Sequence, residues 1–251
     1  MRPSVVIPCF FKDVPFDSSV ERISQIGYDA CELWGWKGMD LASCKAALSK
    51  NGVELISLCT TDFRLNDPAY SDAWMKGLLE SIDAAHALGA KKLITQVGQD
   101  TGANRAFQRE CIVSTLKKAA PILEENGITL MIEPLNTLFD HKGYFLWSSA
   151  EAFDMIKEVN SPCVKVVFDI YHQQVMEGNI INNILNNLDL IAHLHAAGHP
   201  GRTDLFLGES DYRVIFDRID KAGYRGACGL EYHPSMDAEE SLRKAKEIYF
   251  S

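Results

Sequence analysis

Val164-Lys165-Val166-Val167-Phe168-Asp169 is a short β-branched run that closes on a carboxylate. The segments on either side of it, Ser149–Val159 and Gln173–Asn187, space apolar residues three and four apart, and Ile191–His195 then forms another apolar run. Helix, strand, helix, strand is the order of a parallel sheet, because each helix carries the chain back along the sheet. The same alternation extends outward in both directions. Strands are predicted at Val5–Phe10, Tyr28–Trp34, Val53–Thr60, Lys92–Val97, Thr129–Glu133 and Ala227–Tyr232. Helices are predicted at Phe16–Ile26, Asp40–Lys50, Asp72–Leu88, Arg105–Glu125, Tyr212–Ala222 and Ala238–Tyr249, with Ile112, Leu116, Ala119 and Leu123 showing the period. Gly27, Gly52, Gly89, Gly127 and Gly223 stand where a left-handed residue ends a helix, and Ser148, Ser149 and Asp237 are N-cap candidates. Eight βα units in 251 residues predict an α/β fold closed into a single (β/α)8 TIM barrel, one catalytic domain spanning residues 1–251. No Gly-x-Gly-x-x-Gly follows the first strand, which removes the usual dinucleotide site.

Lys and Arg number 25 against 34 Asp and Glu, a formal charge of −9. Clustered cations that would grip a phosphate backbone or an anionic membrane are not expected, so neither nucleic acid nor membrane is an expected partner. Val5–Phe11 is interrupted by Pro8 and is too short for a signal h-region, and no apolar run approaches membrane-spanning length. Cys9, Cys31, Cys44, Cys59, Cys111, Cys163 and Cys228 include no C-x-x-C pair, so neither a disulfide framework nor a thiolate zinc site is indicated. A reduced, cytoplasmic protein is the expectation.

Four residues carry the chemistry. Glu133, Asp169, His195 and Glu231 each close an apolar run, on the fifth to the eighth βα unit in turn. In a barrel the C-terminal strand ends ring one mouth, so three carboxylates and one imidazole would converge there. Three carboxylates cannot all ionise in a desolvated mouth without a cation. Oxygen-rich ligation with one nitrogen suits a divalent metal ion such as Mn²⁺, Mg²⁺ or Co²⁺. Singly, each of these residues could be a strand-end cap or an ion pair.

Ile132-Glu133-Pro134-Leu135-Asn136-Thr137 and Gly143-Tyr144-Phe145-Leu146 resemble the hydroxypyruvate isomerase family of xylose isomerase-like TIM barrels. So do Phe168-Asp169-Ile170-Tyr171-His172-Gln173-Gln174, Glu177-Gly178-Asn179, His199-Pro200-Gly201-Arg202, Gly208-Glu209, Tyr212, Gly223-Tyr224-Arg225-Gly226 and Glu231-Tyr232. The first half matches loosely, through Val14-Pro15-Phe16 and Gly27-Tyr28-Asp29-Ala30. The resemblance implies a divalent metal held by Glu133, Asp169, His195 and Glu231, with Glu133 and Glu231 as the acid/base pair. It also implies substrate contacts from His172 and Arg202. His195 stands where hydroxypyruvate isomerases tend to have Gln, and His233 where they tend to have Arg or Lys. A protonated His233 could pair with a substrate carboxylate, and an uncharged ketose or a keto-tetronate stays open as substrate.

The implied reaction moves a carbonyl to the neighbouring carbon of a small hydroxycarbonyl substrate, a sugar or keto-acid, through an enediolate. A ketose 3-epimerase would use the same site. An endonuclease IV-type metal hydrolase would need more histidines and a more basic surface, and a non-catalytic sugar-binding barrel would not need both glutamates. Other candidates are weaker. Trp34 and Trp36, just after Glu32, could wall a sugar pocket or form the subunit interface of a homo-oligomer. His193 reads as a core or supporting histidine beside His195, and Arg202 as a carboxylate clamp or a loop ion pair. Gln96 and Gln99 are pocket candidates, Glu209 is expected to hold its loop, and Trp74 and Trp147 are expected to pack.

Overall fold

The computed structural model describes residues 1–250. Its eight strands are β1 (Arg2–Val6), β2 (Ala30–Leu33), β3 (Glu54–Cys59), β4 (Lys92–Thr95), β5 (Thr129–Ile132), β6 (Val164–Asp169), β7 (Ile191–Ala196) and β8 (Ala227–Leu230). All neighbours pair in parallel, in chain order, and β8 closes onto β1, which makes a (β/α)8 barrel. The helices are α1 (Ile7–Phe10), α2 (Phe16–Ile26), α3 (Leu41–Asn51), α4 (Ser71–Leu88), α5 (Arg105–Asn126), α6 (Ser149–Val159), α7 (Ile170–Met176), α8 (Ile180–Leu185), α9 (Tyr212–Lys221) and α10 (Ala238–Tyr249). The strands read as buried apolar runs because the barrel interior covers one face and the helices cover the other. Among the described residues, no helix is long and apolar enough to cross a membrane.

The caps explain the element boundaries. Asp40, Asn104, Ser148, Asp211 and Asp237 accept backbone N–H groups at the starts of α3, α5, α6, α9 and α10. Gly27, Gly52, Gly89 and Gly127 end α2 to α5 in the left-handed conformation. Two segments differ from the sequence expectation. The predicted strand Val5–Phe10 stops at Val6, and Ile7–Phe10 turn into α1, where Pro8 fits the first helical turn. The predicted helix Gln173–Asn187 is two helices, α7 and α8, separated where Gly178 and Asn179 adopt positive φ of 65° and 51°. Helical periodicity continued across that break, so the pattern alone hid it.

Candidate functional site

Cross-strand register brings the strand-end groups together. Asp169 pairs with His195, and His195 with Gly229, two residues before Glu231. One ligand atom from each of Glu133, Asp169, His195 and Glu231 lies within 4.8 Å of the others, and all four residues are buried. Glu133, His195 and Glu231 line a cavity of about 340 Å³ whose wall also includes Trp34, Phe63, Gln96, Leu135, His141, His172 and Arg202.

The carboxylates are held differently. Asp169 closes β6 and caps α7, accepting from the N–H of Tyr171 at 2.8 Å and of His172 at 3.4 Å. Burial, with repulsion from Glu231 and Glu133, raises the Asp169 carboxyl to about 7, although Arg202 and His195 oppose the shift. Glu231 accepts from Trp34 Nε1 at 2.6 Å and from an Arg202 guanidinium nitrogen at 2.8 Å. Burial acts against its ionisation, but His195 and Arg202 prevail and hold it well below the usual carboxylate range. Glu133 approaches His195 Nδ1 at 3.6 Å. Its backbone carbonyl accepts from Tyr144 Oη, which in turn accepts from the N–H of Val97, so one tyrosine ties the end of β5 to the chain after β4.

Orphaned nitrogens show what the cluster can hold. His195 Nε2 lies 3.1 Å from a Glu32 oxygen, and Nδ1 faces Glu231 at 3.0 Å without a hydrogen bond. With Nε2 as donor to Glu32, the neutral ring turns the lone pair of Nδ1 toward Glu133 and Glu231. A divalent cation satisfies that donor set, three oxygens and one neutral imidazole nitrogen. The residues therefore fit the metal. In its absence burial favours the neutral ring, yet Glu231 and Glu32 push the His195 imidazole well above its ordinary range.

His172 is also fixed. Asn136 donates to its Nδ1 from the side-chain amide at 2.7 Å and from the backbone at 3.3 Å. The proton is thereby assigned to Nε2, which lies 3.4 Å from Asp169 without a hydrogen bond, and His172 lines the cavity. Burial first, then Arg202, keep this ring neutral. Arg202 has φ 51° and bonds Glu231, with Asp169 at 3.5 Å.

The remaining candidates scatter. His233 is exposed and lies outside the cavity wall, and its N–H donates to the Arg202 carbonyl. Gln96 lines the cavity, whereas Gln99 is exposed and bridges to Tyr144. Trp74 is fully buried, but Trp147 is 39% exposed, so it is not a packing residue as expected. Glu209 holds its loop by an N–H to the His199 carbonyl at 2.7 Å. His193 is buried with Nε2 2.9 Å from Glu32. The centrality of Glu32 was not evident in the sequence, because its partners Ser4, Ser57, His193 and His195 lie 25 to 163 positions away.

A family model described as xylose isomerase-like TIM barrel matches residues 20–248. Hydroxypyruvate isomerase of Escherichia coli is 31% identical over 97% of this chain and 97% of that protein. A 2-oxo-tetronate isomerase of Cupriavidus necator is 34% identical over 64% of this chain and 62% of that protein. In structure, the chain is similar to an AP endonuclease, family 2 from Brucella melitensis, with a TM-score of 0.94 and 25% identity over 99% of this chain and 100% of that one. The chain belongs to the xylose isomerase-like TIM barrel family, and its curated relatives make it an isomerase.

Proposed function

We propose that this isomerase interconverts a small keto-acid or ketose with its aldehyde isomer through an enediolate, using a divalent cation held by Glu133, Asp169, His195 and Glu231. The observation that carries the reading is the meeting of three buried carboxylates with an imidazole nitrogen that makes no hydrogen bond, three of the four residues lining one cavity. The names of the curated relatives favour a keto-acid. The bound cation would stabilise negative charge developing on the substrate's carbonyl and hydroxyl oxygens.

The protein's own groups divide the rest. Glu231 is anchored by Trp34 and Arg202, while Glu133 carries neither donor and is the freer base for the carbon-bound proton. Glu231, 3.0 Å from the same His195 nitrogen, returns a proton to the neighbouring carbon. His172 offers Nε2–H, and Arg202 its guanidinium, to substrate oxygens. Trp34, Phe63 and Leu135 supply apolar wall that excludes water from the proton transfers. A hydrolase reading is less well supported, since Glu32, His193 and His195, which form a second acid–imidazole group, are already joined by hydrogen bonds.

The test is turnover of keto-acids, keto-tetronates and ketoses in deuterated water with Mn²⁺, Mg²⁺ or Co²⁺ added. An isomerase places deuterium on the former carbonyl carbon; a 3-epimerase returns it to the carbon that lost the proton. Glu133→Gln and Glu231→Gln should each lower kcat at least about 100-fold in a folded protein, the range for loss of a general base. Near-normal turnover by either variant would remove that residue from the proposed pair.

A further inference from the structure

We propose that Glu32 is a positioning residue for His195: it fixes the ring and its tautomer so that Nδ1 presents a lone pair to the cation, and it thereby sets how tightly the cation is held. The inference rests on the cation reading above. Glu32 lies on β2 and His195 on β7, 163 positions away, with Glu32 Oε2 and His195 Nε2 3.1 Å apart. A carboxylate has no proton to offer, so the imidazole donates from Nε2, and in the neutral ring that a cation requires Nδ1 is the bare nitrogen. Nδ1 is the atom that faces Glu133 and Glu231.

Glu32 is itself immobilised. Ser57 Oγ donates to Oε2 at 2.6 Å, Ser4 Oγ donates to Oε1, and His193 Nε2 lies 2.9 Å from Oε1. Each oxygen thus meets two donors, and the four donors come from β1, β3 and β7. A buried carboxylate is costly unless it is matched in this way. These separations are those of N–H···O and O–H···O bonds, so the Glu32 group is a support and not a second ion site. Gly229 makes the room. A Cβ there would meet Glu32 Oε1 and lie 2.7 Å from His195 Cδ2, so any side chain at position 229 would force the pair apart.

Titration calorimetry with Mn²⁺ tests the proposal, reading affinity and not turnover, on the unaltered protein, Glu32→Ala, Glu32→Gln, His195→Gln and the two corresponding double variants. Loss of the partner that orients a metal-ligating histidine weakens binding about 10–100-fold, which is the result expected of Glu32→Ala. Glu32→Gln should lose less, because its amide oxygen can still accept from Nε2. With His195→Gln already present, either change at Glu32 should alter Mn²⁺ affinity by less than about threefold, near the limit of additivity between independent sites. Unchanged affinity in a folded Glu32→Ala overturns the proposal, as does an equal loss with and without His195. Where Glu32→Ala does not fold, the Glu32→Gln pair of measurements decides on the same criterion. Failure of the unaltered protein to bind Mn²⁺ would overturn the cation reading and this inference together; normal binding that ignores Glu32 overturns this inference alone.

Discussion

Trp34 is 45% exposed at the rim of the cavity, yet its indole N–H is committed to Glu231 at 2.6 Å. It is both wall and donor, and Trp34→Phe separates the two by keeping the ring and removing the N–H. A hydrogen bond to a charged group is worth about 1.5–3 kcal/mol, and exposure places this one at the lower end. We expect about a tenfold fall in kcat/KM with little change in Tm; an unaltered kcat/KM would reduce Trp34 to a wall. At this scale the sequence revealed chemistry better than contacts. Glu133, Asp169, His195 and Glu231 were legible because each closes an apolar run, which locates it at a strand end. The Nε2–H of His172 was not, because Asn136 assigns it from 36 positions away. His233 follows Glu231 closely in sequence, but β8 ends at Leu230 and the chain turns outward before reaching it.

Among the elements, Phe16–Ile26, Ser149–Val159 and Ala238–Tyr249 matched their predicted limits, with a left-handed cap or an acceptor side chain at an end of each. The beginning of the chain did not, because an apolar run of half a dozen residues serves strand and helix equally. Connections between elements were hardest to read, and Asp204 shows why. It lies in the loop after β7, fully buried, and accepts from Ser241 of α10, from the N–H of Ser235 and from Thr203. Burial opposes its ionisation, but these donors prevail and lower its pKa from the ordinary 3.8. A carboxylate lowered on folding stabilises the protein above its unfolded pKa, and that contribution is lost as pH falls through the folded value. The stability difference between the unaltered protein and Asp204→Asn, from urea unfolding, should therefore be full at neutral pH. It should shrink once the pH drops below about 4; a difference constant down to pH 2 would show that the charge plays no part.

For the whole molecule, the proposed cation site links ion binding to folding, since its four residues converge only in the native barrel. Mn²⁺ at about 100 times its Kd should add about 2.7 kcal/mol. For a chain of this size that corresponds to a rise in Tm of about 5–10 °C, reversed by chelation, and an unmoved Tm would contradict the proposed site. A further consequence follows from the two contacts that β2 and its following residue pair send across the mouth, Glu32 to β7 and Trp34 to Glu231, the latter spanning 197 positions. All four residues of the proposed cation site lie in the second half of the chain, yet the first half steadies two of them. On the proposed reading the site is a clasp across the mouth of the barrel: fraying of β2 would loosen the ion while leaving all four proposed ligands in place, and a tightly held ion would in turn keep the two halves of the chain shut.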